Sequence, residues 1–273
     1  MKKYSVLTTV YKKENPLYLR QSIDSMLNQT IPPSEYVVVK DGPLTKVLDD
    51  VLQEYCSINS IFKIVSLEVN SGLGVACIKG LEACTNDFVA RLDSDDISLP
   101  NRCELQLDML EKEGDLAVVG SSLYEFEDDP KIITAIKEMP TEPDEIFKFG
   151  KRRNPFNHSS IMMRKSIVIA NGGYSPMRRS QDLELFTRLI YKGCKCRNLI
   201  EPLVLFRTGS ARVNRKKNWT NLKHDISVYI RNYKVHYMSL FDLLYVIIRQ
   251  FVFFMMPSKM ASYLYFKFYR KES

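Results

Sequence analysis

The chain has 273 residues, 45% of them apolar and 26% charged, with a formal net charge of +7. That length supports one large domain or a domain with a tail, and the composition excludes a disordered or fibrous chain. The charge is uneven: residues 1–206 hold 26 Lys and Arg against 29 Asp and Glu, whereas residues 207–273 hold 13 against 3, a local net of +10. The basicity therefore concerns a partner of the tail and not the fold.

The opening MKKYSVLTTVYKKENP has only a strand-length apolar run before Lys12 and Lys13, so no signal peptide is expected. Tyr4–Val10 reads as a buried strand. Asn15-Pro16 is a helix cap followed by proline at the first helical position, and the helix runs to about Gln29. Pro32-Pro33 forces a connection, and Glu35–Lys40 is a second strand ending on Asp41-Gly42. Leu44–Tyr55 is helical, Ile61–Leu67 a third strand, and Asn70–Gly74 leads into a helix through about Cys84. Phe88–Leu92 is a fourth strand. Strand followed by helix, four times over, predicts a parallel sheet with right-handed crossovers, the nucleotide-binding half of a doubly wound α/β fold.

The second half is less regular. A helix is expected at 101–112 and a strand at Leu116–Gly120. Residues 121–136 read as strand, acidic turn and strand. Glu142–Phe149 is a short helix, Asn154–Met163 a loop entering a strand, Asn171–Gly173 a turn and Asp182–Tyr191 a helix. Two short strands follow near 196–199 and 202–206. One domain is expected over 1–206, with a nucleotide-binding half (1–112) and a mixed half (113–206). Six cysteines (Cys56, Cys77, Cys84, Cys103, Cys194, Cys196) sit singly in these patterns, and a lone CxC lacks the second pair a zinc site wants. Reduced structural thiols in a cytosolic protein are the expectation.

Chemistry concentrates where the fourth strand stops, on Asp93-Ser94-Asp95-Asp96. Three carboxylates in four residues repel and are costly to desolvate unless something positive sits among them. At the carboxyl end of a strand in an α/β sheet, that something is commonly a ligand-bound Mg2+ or Mn2+, which prefers oxygen donors. A solvated acidic turn capping the next helix is the plainer reading. Other strand ends carry ligand groups too. Thr8, Thr9 and Tyr11 follow the first strand, and Asp41, able to accept a uracil imide N–H, follows the second. Gly72 and Gly74 sit at a helix start, where bare N–H groups suit a phosphate. Each of these alone is as readily a turn.

Taken together, SVLTTVYKKENPLYLRQSIDSMLNQT, VVVKDG, NSGLGVACIKGLEA, ARLDSDDISLPNRCELQ and SQDLELFTRL resemble family 2 of the glycosyltransferases in order and spacing, across residues 4–190. The resemblance implies a GT-A fold and an inverting, metal-dependent transfer from a nucleotide sugar. It implies a nucleoside pocket at Thr9, Tyr11 and Asp41, with Gly72 on the donor. It also implies a DxD pair in which Asp93 faces ribose and metal and Asp95 ligates the metal, either Mn2+ or Mg2+. Asp182 would be the general base; capping the 182–191 helix is its alternative. The family often has Glu-Asp where this chain has Gln181-Asp182, which puts any role of a neighbouring acid in doubt. His158 stands open between metal ligand, acceptor contact and structural imidazole, with a place beside acceptor or diphosphate, shared with Gln181, preferred.

The tail interleaves aromatic and basic residues. Its most apolar piece, Leu240–Met256, is interrupted by Asp242, Arg249 and Gln250 and falls short of the ~20 residues of a spanning helix. An in-plane amphipathic helix attracted to anionic lipid is expected, with packing onto the catalytic domain as the alternative. No nucleic-acid recognition motif is present. The resemblance points to transfer of a hexose or N-acetylhexosamine, galactose among the candidates, from a UDP-sugar to a lipid-diphosphate-linked saccharide. The setting would be O-antigen, capsule or exopolysaccharide assembly at the cytoplasmic face of a bacterial inner membrane. A sugar nucleotidyltransferase would want a glycine-rich loop after strand one, which TTVYKKENP lacks. An inert membrane scaffold of the same fold would not need Asp41, Asp93, Asp95 and Asp182 together.

Overall fold

The computed structural model describes residues 3–208 and 219–256. Eight of the thirteen basic residues of the tail fall on residues outside these, and so do the sequence expectations for them. The first half alternates β1 (Ser5–Val10), α1 (Pro16–Leu27), β2 (Glu35–Lys40), α2 (Lys46–Ile58), β3 (Phe62–Ser66), α3 (Leu73–Ala83) and β4 (Phe88–Arg91). The Asn15 side chain accepts from the Leu17 N–H with Pro16 at the first helical position, and the Thr45 hydroxyl caps α2 in the same way.

These strands pair in parallel in the order β3-β2-β1-β4. Alternation sends Val6 and Val38 to one side, against Leu19, Ile23, Leu48 and Leu52 of α1 and α2. Leu7, Val37 and Val39 go to the other side, against Ala76, Cys77 and Leu81 of α3. Burial on both faces explains why Val6-Leu7 of β1 and Tyr36–Val39 of β2 are apolar without a polar alternation. Gly80 is required by this packing: a Cβ there would stand 2.2 Å from Leu7 Cδ1 and 2.8 Å from Val39 Cγ2. The order reverses between β1 and β4, so the carboxyl ends of these two strands flank the crevice where α/β sheets bind ligands.

Beyond β4 the chain forms β5 (Ile97–Ser98), α4 (Arg102–Lys112), β6 (Leu116–Phe126), β7 (Ala135–Lys137), α5 (Pro143–Gly150), β8 (Met162–Arg164), α6 (Lys165–Ala170), α7 (Gln181–Tyr191) and β9 (Lys195–Arg207). The sheet continues as β4-β8-β6-β9-β5, with β7 paired to β6. β8 runs antiparallel to both β4 and β6, and β9 runs parallel to β6. The sheet is thus parallel in its first half and mixed in its second.

Three details differ from the sequence reading. β6 does not stop at Gly120, because that glycine admits Asn198 of β9: a Cβ would lie 2.2 Å from Asn198 Oδ1. β9 is one strand and not two, because the register slips between Leu199 and Pro202 and absorbs the proline. The short α6 and the two-residue β5 are too brief to show a period, and neither was expected.

The tail forms α8 (Trp219–Lys234) and α9 (Leu240–Met255). α8 lies on α7, α9 lies on α8, and Leu183, Val228, Tyr229, Met238, Leu243 and Val246 make a third apolar cluster between them. All six cysteines are free thiols, and burial pushes Cys77 and Cys84 up to about 12.

Candidate active site

The site is assembled at the carboxyl ends of β1, β2 and β4 and at the amino end of α7. Thr9 and Tyr11 are half-buried where β1 ends, and Asp41 N–H donates to Val10 O (2.8 Å), which ties the ends of β1 and β2 together. Asp41 is buried. Its Oδ1 accepts from Ser71 N–H (2.7 Å), Gly72 N–H reaches both carboxylate oxygens, and Asn70 Nδ2 donates to Oδ2 (3.0 Å). The Gly72 N–H is therefore turned onto Asp41, and Asp41 shapes the loop that borders this edge as well as facing it. Gly72 is at φ +94°, and Arg178 crosses directly over it, with Arg178 Nη2 donating to Asn70 Oδ1 (2.8 Å).

The acidic string after β4 is a true cluster: Asp93, Asp95 and Asp96 each offer an oxygen, all within 4.8 Å of one another. Asp93 and Asp95 are half-buried and Asp96 fully buried. Carboxylates alone, this close, make a hard-oxygen donor set suited to Mg2+ or Mn2+.

Two arginines brace the cluster, and the sequence reading singled out neither. Arg91 is fully buried and pairs with the Asp93 carboxylate. Burial works against its charge, but Asp93 more than compensates and holds the guanidinium protonated. The signal was present: Arg91 is a charge inside an apolar strand, two residues before Asp93 and hence on the same face. Arg207, at the end of β9, donates its N–H to Asp96 Oδ1 (2.9 Å) and Nε to Asp95 O (3.0 Å). Its guanidinium lies between the rings of Tyr18 (3.7 Å) and Phe126 (4.5 Å), and Nη2 donates to Gln21 Oε1 (2.7 Å). Nothing local marks Arg207, which is 111 residues from Asp96. Ser22 and Ser159 hydroxyls bond the Asp93 backbone from α1 and from the turn at His158–Ser160.

Asp182 stands in the first turn of α7. Its Oδ2 accepts from Asn154 Nδ2 (2.7 Å). Desolvation raises its pKa, only partly offset by N–H bonds from the helix start and by the charge of Arg91. A carboxylate of raised basicity suits a general base. Ser180, just before it, holds the left-handed backbone region (φ 59°) and its hydroxyl donates to Asp225 of α8. Gln181 is buried beside it.

His158 Nε2 is 2.8 Å from Tyr174 Oη, and the ring packs edge-on against Tyr174 and Phe186. Burial, helped by Arg91, drives its pKa well below the ordinary value, so the imidazole is neutral. Arg91 and Asp93 act electrostatically on His158, Tyr174 and Asp182, so the end of β4 and the start of α7 are neighbours.

Comparison with known proteins bears on family and fold. The model of the family described as Glycosyl transferase family 2 matches residues 5–171, ending before Asp182. The amylovoran biosynthesis glycosyltransferase AmsE of Erwinia amylovora is 36% identical over 83% of this chain and 84% of its own. The UDP-Gal:alpha-D-GlcNAc-diphosphoundecaprenol beta-1,3-galactosyltransferase of Escherichia coli is 32% identical over 98% of this chain and 97% of its own. Among solved structures, S. aureus TarS 1–349 in complex with UDP-GlcNAc superposes with a TM-score of 0.64 at 16% identity, covering 98% of this chain and 73% of that one. The last likeness concerns the fold, which is that of a GT-A glycosyltransferase.

Proposed function

The chain belongs to glycosyl transferase family 2, and from that membership we propose that it is a metal-dependent, inverting hexosyltransferase of bacterial surface polysaccharide assembly. The donor is a UDP-sugar and the acceptor a saccharide carried on a lipid diphosphate, with UDP-galactose the first donor to test. The Escherichia coli relative supports this choice, since its name specifies both UDP-Gal and a diphosphoundecaprenol-linked GlcNAc. The same name describes a β-linkage, which arises by inversion from an α-linked sugar nucleotide.

The observation that carries the mechanism is the division of carboxylates into two environments. Asp93, Asp95 and Asp96 cluster at the end of β4, whereas Asp182 stands apart, desolvated and of raised basicity. Asp93 and Asp95 would hold the divalent ion, which when bound neutralises charge on the departing diphosphate. Thr9, Tyr11 and Asp41 take the nucleoside. Asp182 removes the proton of the acceptor hydroxyl as its oxygen attacks the anomeric carbon, and the bond from that carbon to the diphosphate oxygen breaks in the same displacement. Asn154 keeps the Asp182 carboxylate aimed. Neutral His158, held by Tyr174, lines the crevice without adding charge against the acceptor. The enzyme works at the cytoplasmic membrane surface, where a lipid-linked acceptor resides.

The test is calorimetry with UDP, GDP and dTDP in the presence of Mn2+ and of chelator, followed by transfer from UDP-galactose. Binding of UDP alone, dependent on metal and lost in Asp95→Ala, is expected. Absence of nucleotide binding under both conditions would overturn the enzymatic reading.

A further inference from the structure

Helix α9 is apolar on two sides, with Leu243 and Val246 buried and a second apolar face turned outward. Its three polar residues turn toward the protein: Asp242 accepts from Arg152 Nε (2.6 Å), Arg249 Nη2 donates to Arg152 O (2.6 Å) and Gln250 reaches Asp225 (3.4 Å). Leu240, Phe241, Leu244, Ile248, Val252 and Met255 point the other way and are between 50% and 70% exposed. At 100° per residue they fall within one arc of about 120°. An ordinary surface helix puts its apolar stripe on the core and its charges in water. Here Leu243 and Val246 do pack into the protein, yet a second apolar face is left over, and six neighbouring large apolar side chains on a helix that already has its protein contacts mark an interaction surface.

We propose that this outward face of α9 is an in-plane anchor that beds into an anionic phospholipid surface, making specific the membrane partner of the preceding reading and resting on it. Length fits: 16 residues span about 24 Å, short of the ~30 Å hydrocarbon layer, and no described helix is long and apolar enough to cross a membrane. Charge selects lipid over a second copy of the chain. Residues 207–273 carry a net of +10, and two of their three acids, Asp225 and Asp242, are consumed in bonds to the protein body. Two such segments repel each other, whereas an anionic leaflet attracts them. Trp219, tilted against Phe254 (4.6 Å) and edge-on to Phe251 (6.3 Å), adds an amphipathic ring at the edge of the patch.

The anchor also reaches the chemistry. Arg152, which grips Asp242 and lies over Tyr245 (4.8 Å), is two residues from Asn154, which holds Asp182. A helix fixed in the membrane plane would set the base at a fixed height above it, where the acceptor diphosphate lies.

Flotation of the full chain with phosphatidylglycerol/phosphatidylethanolamine vesicles tests this, with pure phosphatidylcholine as reference. Wild type should float with the anionic vesicles, and its single tryptophan should shift to the blue. Leu244→Glu/Ile248→Glu, at exposed positions clear of the site, should lower the bound fraction at least about tenfold while UDP binding stays unchanged. Equal flotation of variant and wild type, or no flotation of wild type, would overturn the proposal. So would a wild-type dimer in sedimentation velocity that the variant dissolves, since the face would then be a self-interface. Vesicle binding without UDP binding would sustain the anchor and sink the enzymatic reading.

Discussion

At the scale of single residues, the site depends on unequal treatment of like groups. Asp182 is desolvated and meets Arg91 only at a distance, so its pKa is raised, while Asp93 is paired directly with Arg91. The base must be ionised to accept a proton. The acid limb of kcat/KM should therefore lie above ~3.9, the ordinary aspartate value, with activity falling as pH falls through that limb. Under the proposed mechanism Asp182→Asn should cost about 10²- to 10⁴-fold in kcat with UDP affinity unchanged, because that mechanism puts the group on the acceptor and not on the nucleotide. Calorimetry and a transfer assay on the same preparation separate the two effects. An unchanged kcat in this variant would remove Asp182 from the mechanism. Arg207 makes a complementary case. Its bonds to Asp95 O and Asp96 Oδ1 set the shape of the acidic loop. Arg207→Met should weaken metal-dependent UDP binding far more than binding in chelator, and should lower stability by about 1–3 kcal/mol. Equal losses with and without metal would make Arg207 a packing residue only.

At the scale of elements, the legible parts were those whose sequence period is set by burial alone. β1, β2 and β4 are buried over most of their length and the helices on one face, so largely apolar segments and amphipathic stripes announce them. The acidic string, Asp41 and Asp182 could be singled out because each sits next to a strand or helix end. What stayed hidden depends on partners far along the chain. Gly120 looks like a stop until Asn198 is seen to fill its space, and Pro202 looks like a break until the slip beside it appears in β9. Asn154 and Tyr174 carry no local mark, since their meaning comes from Asp182 and His158. The Gly80 contact gives a direct test of packing between helix and sheet. Gly80→Val would drive methyl groups into Leu7 and Val39 from a helix pinned at both ends, and should cost about 1–3 kcal/mol in chemical denaturation. No loss of stability would mean that α3 can lift off the sheet, contrary to the close approach described.

At the scale of the whole molecule, the tail is joined to the site by polar bonds as well as by apolar contact. Asp225 of α8 holds the left-handed Ser180 that precedes the base, Asn232 meets Thr187, and Arg231 pairs with the buried Glu184 two residues beyond Asp182. Glu184 also bonds Arg188 (2.9 Å), which spans back to the carbonyls of Asn171 and Gly173. Burial alone would raise the pKa of Glu184, but the two arginines outweigh it and leave the pKa lowered. A depressed folded-state value stabilises the fold above the unfolded pKa of ~4.3, and that contribution is lost as pH falls through the folded value. Glu184→Gln should therefore unfold more easily at pH 7, by about 1–3 kcal/mol, since two arginines lose their counter-charge. The gap between variant and wild type should narrow progressively below pH ~4.3, where wild-type Glu184 is itself protonated. Denaturation followed by Trp219 fluorescence reads the tail, and far-UV circular dichroism reads the sheet and helices together. If the joint is as tight as its bonds imply, both probes move in one transition. A gap that persists unchanged into acid would show that Glu184 acts by shape and not by charge, and would loosen the connection drawn between tail and base.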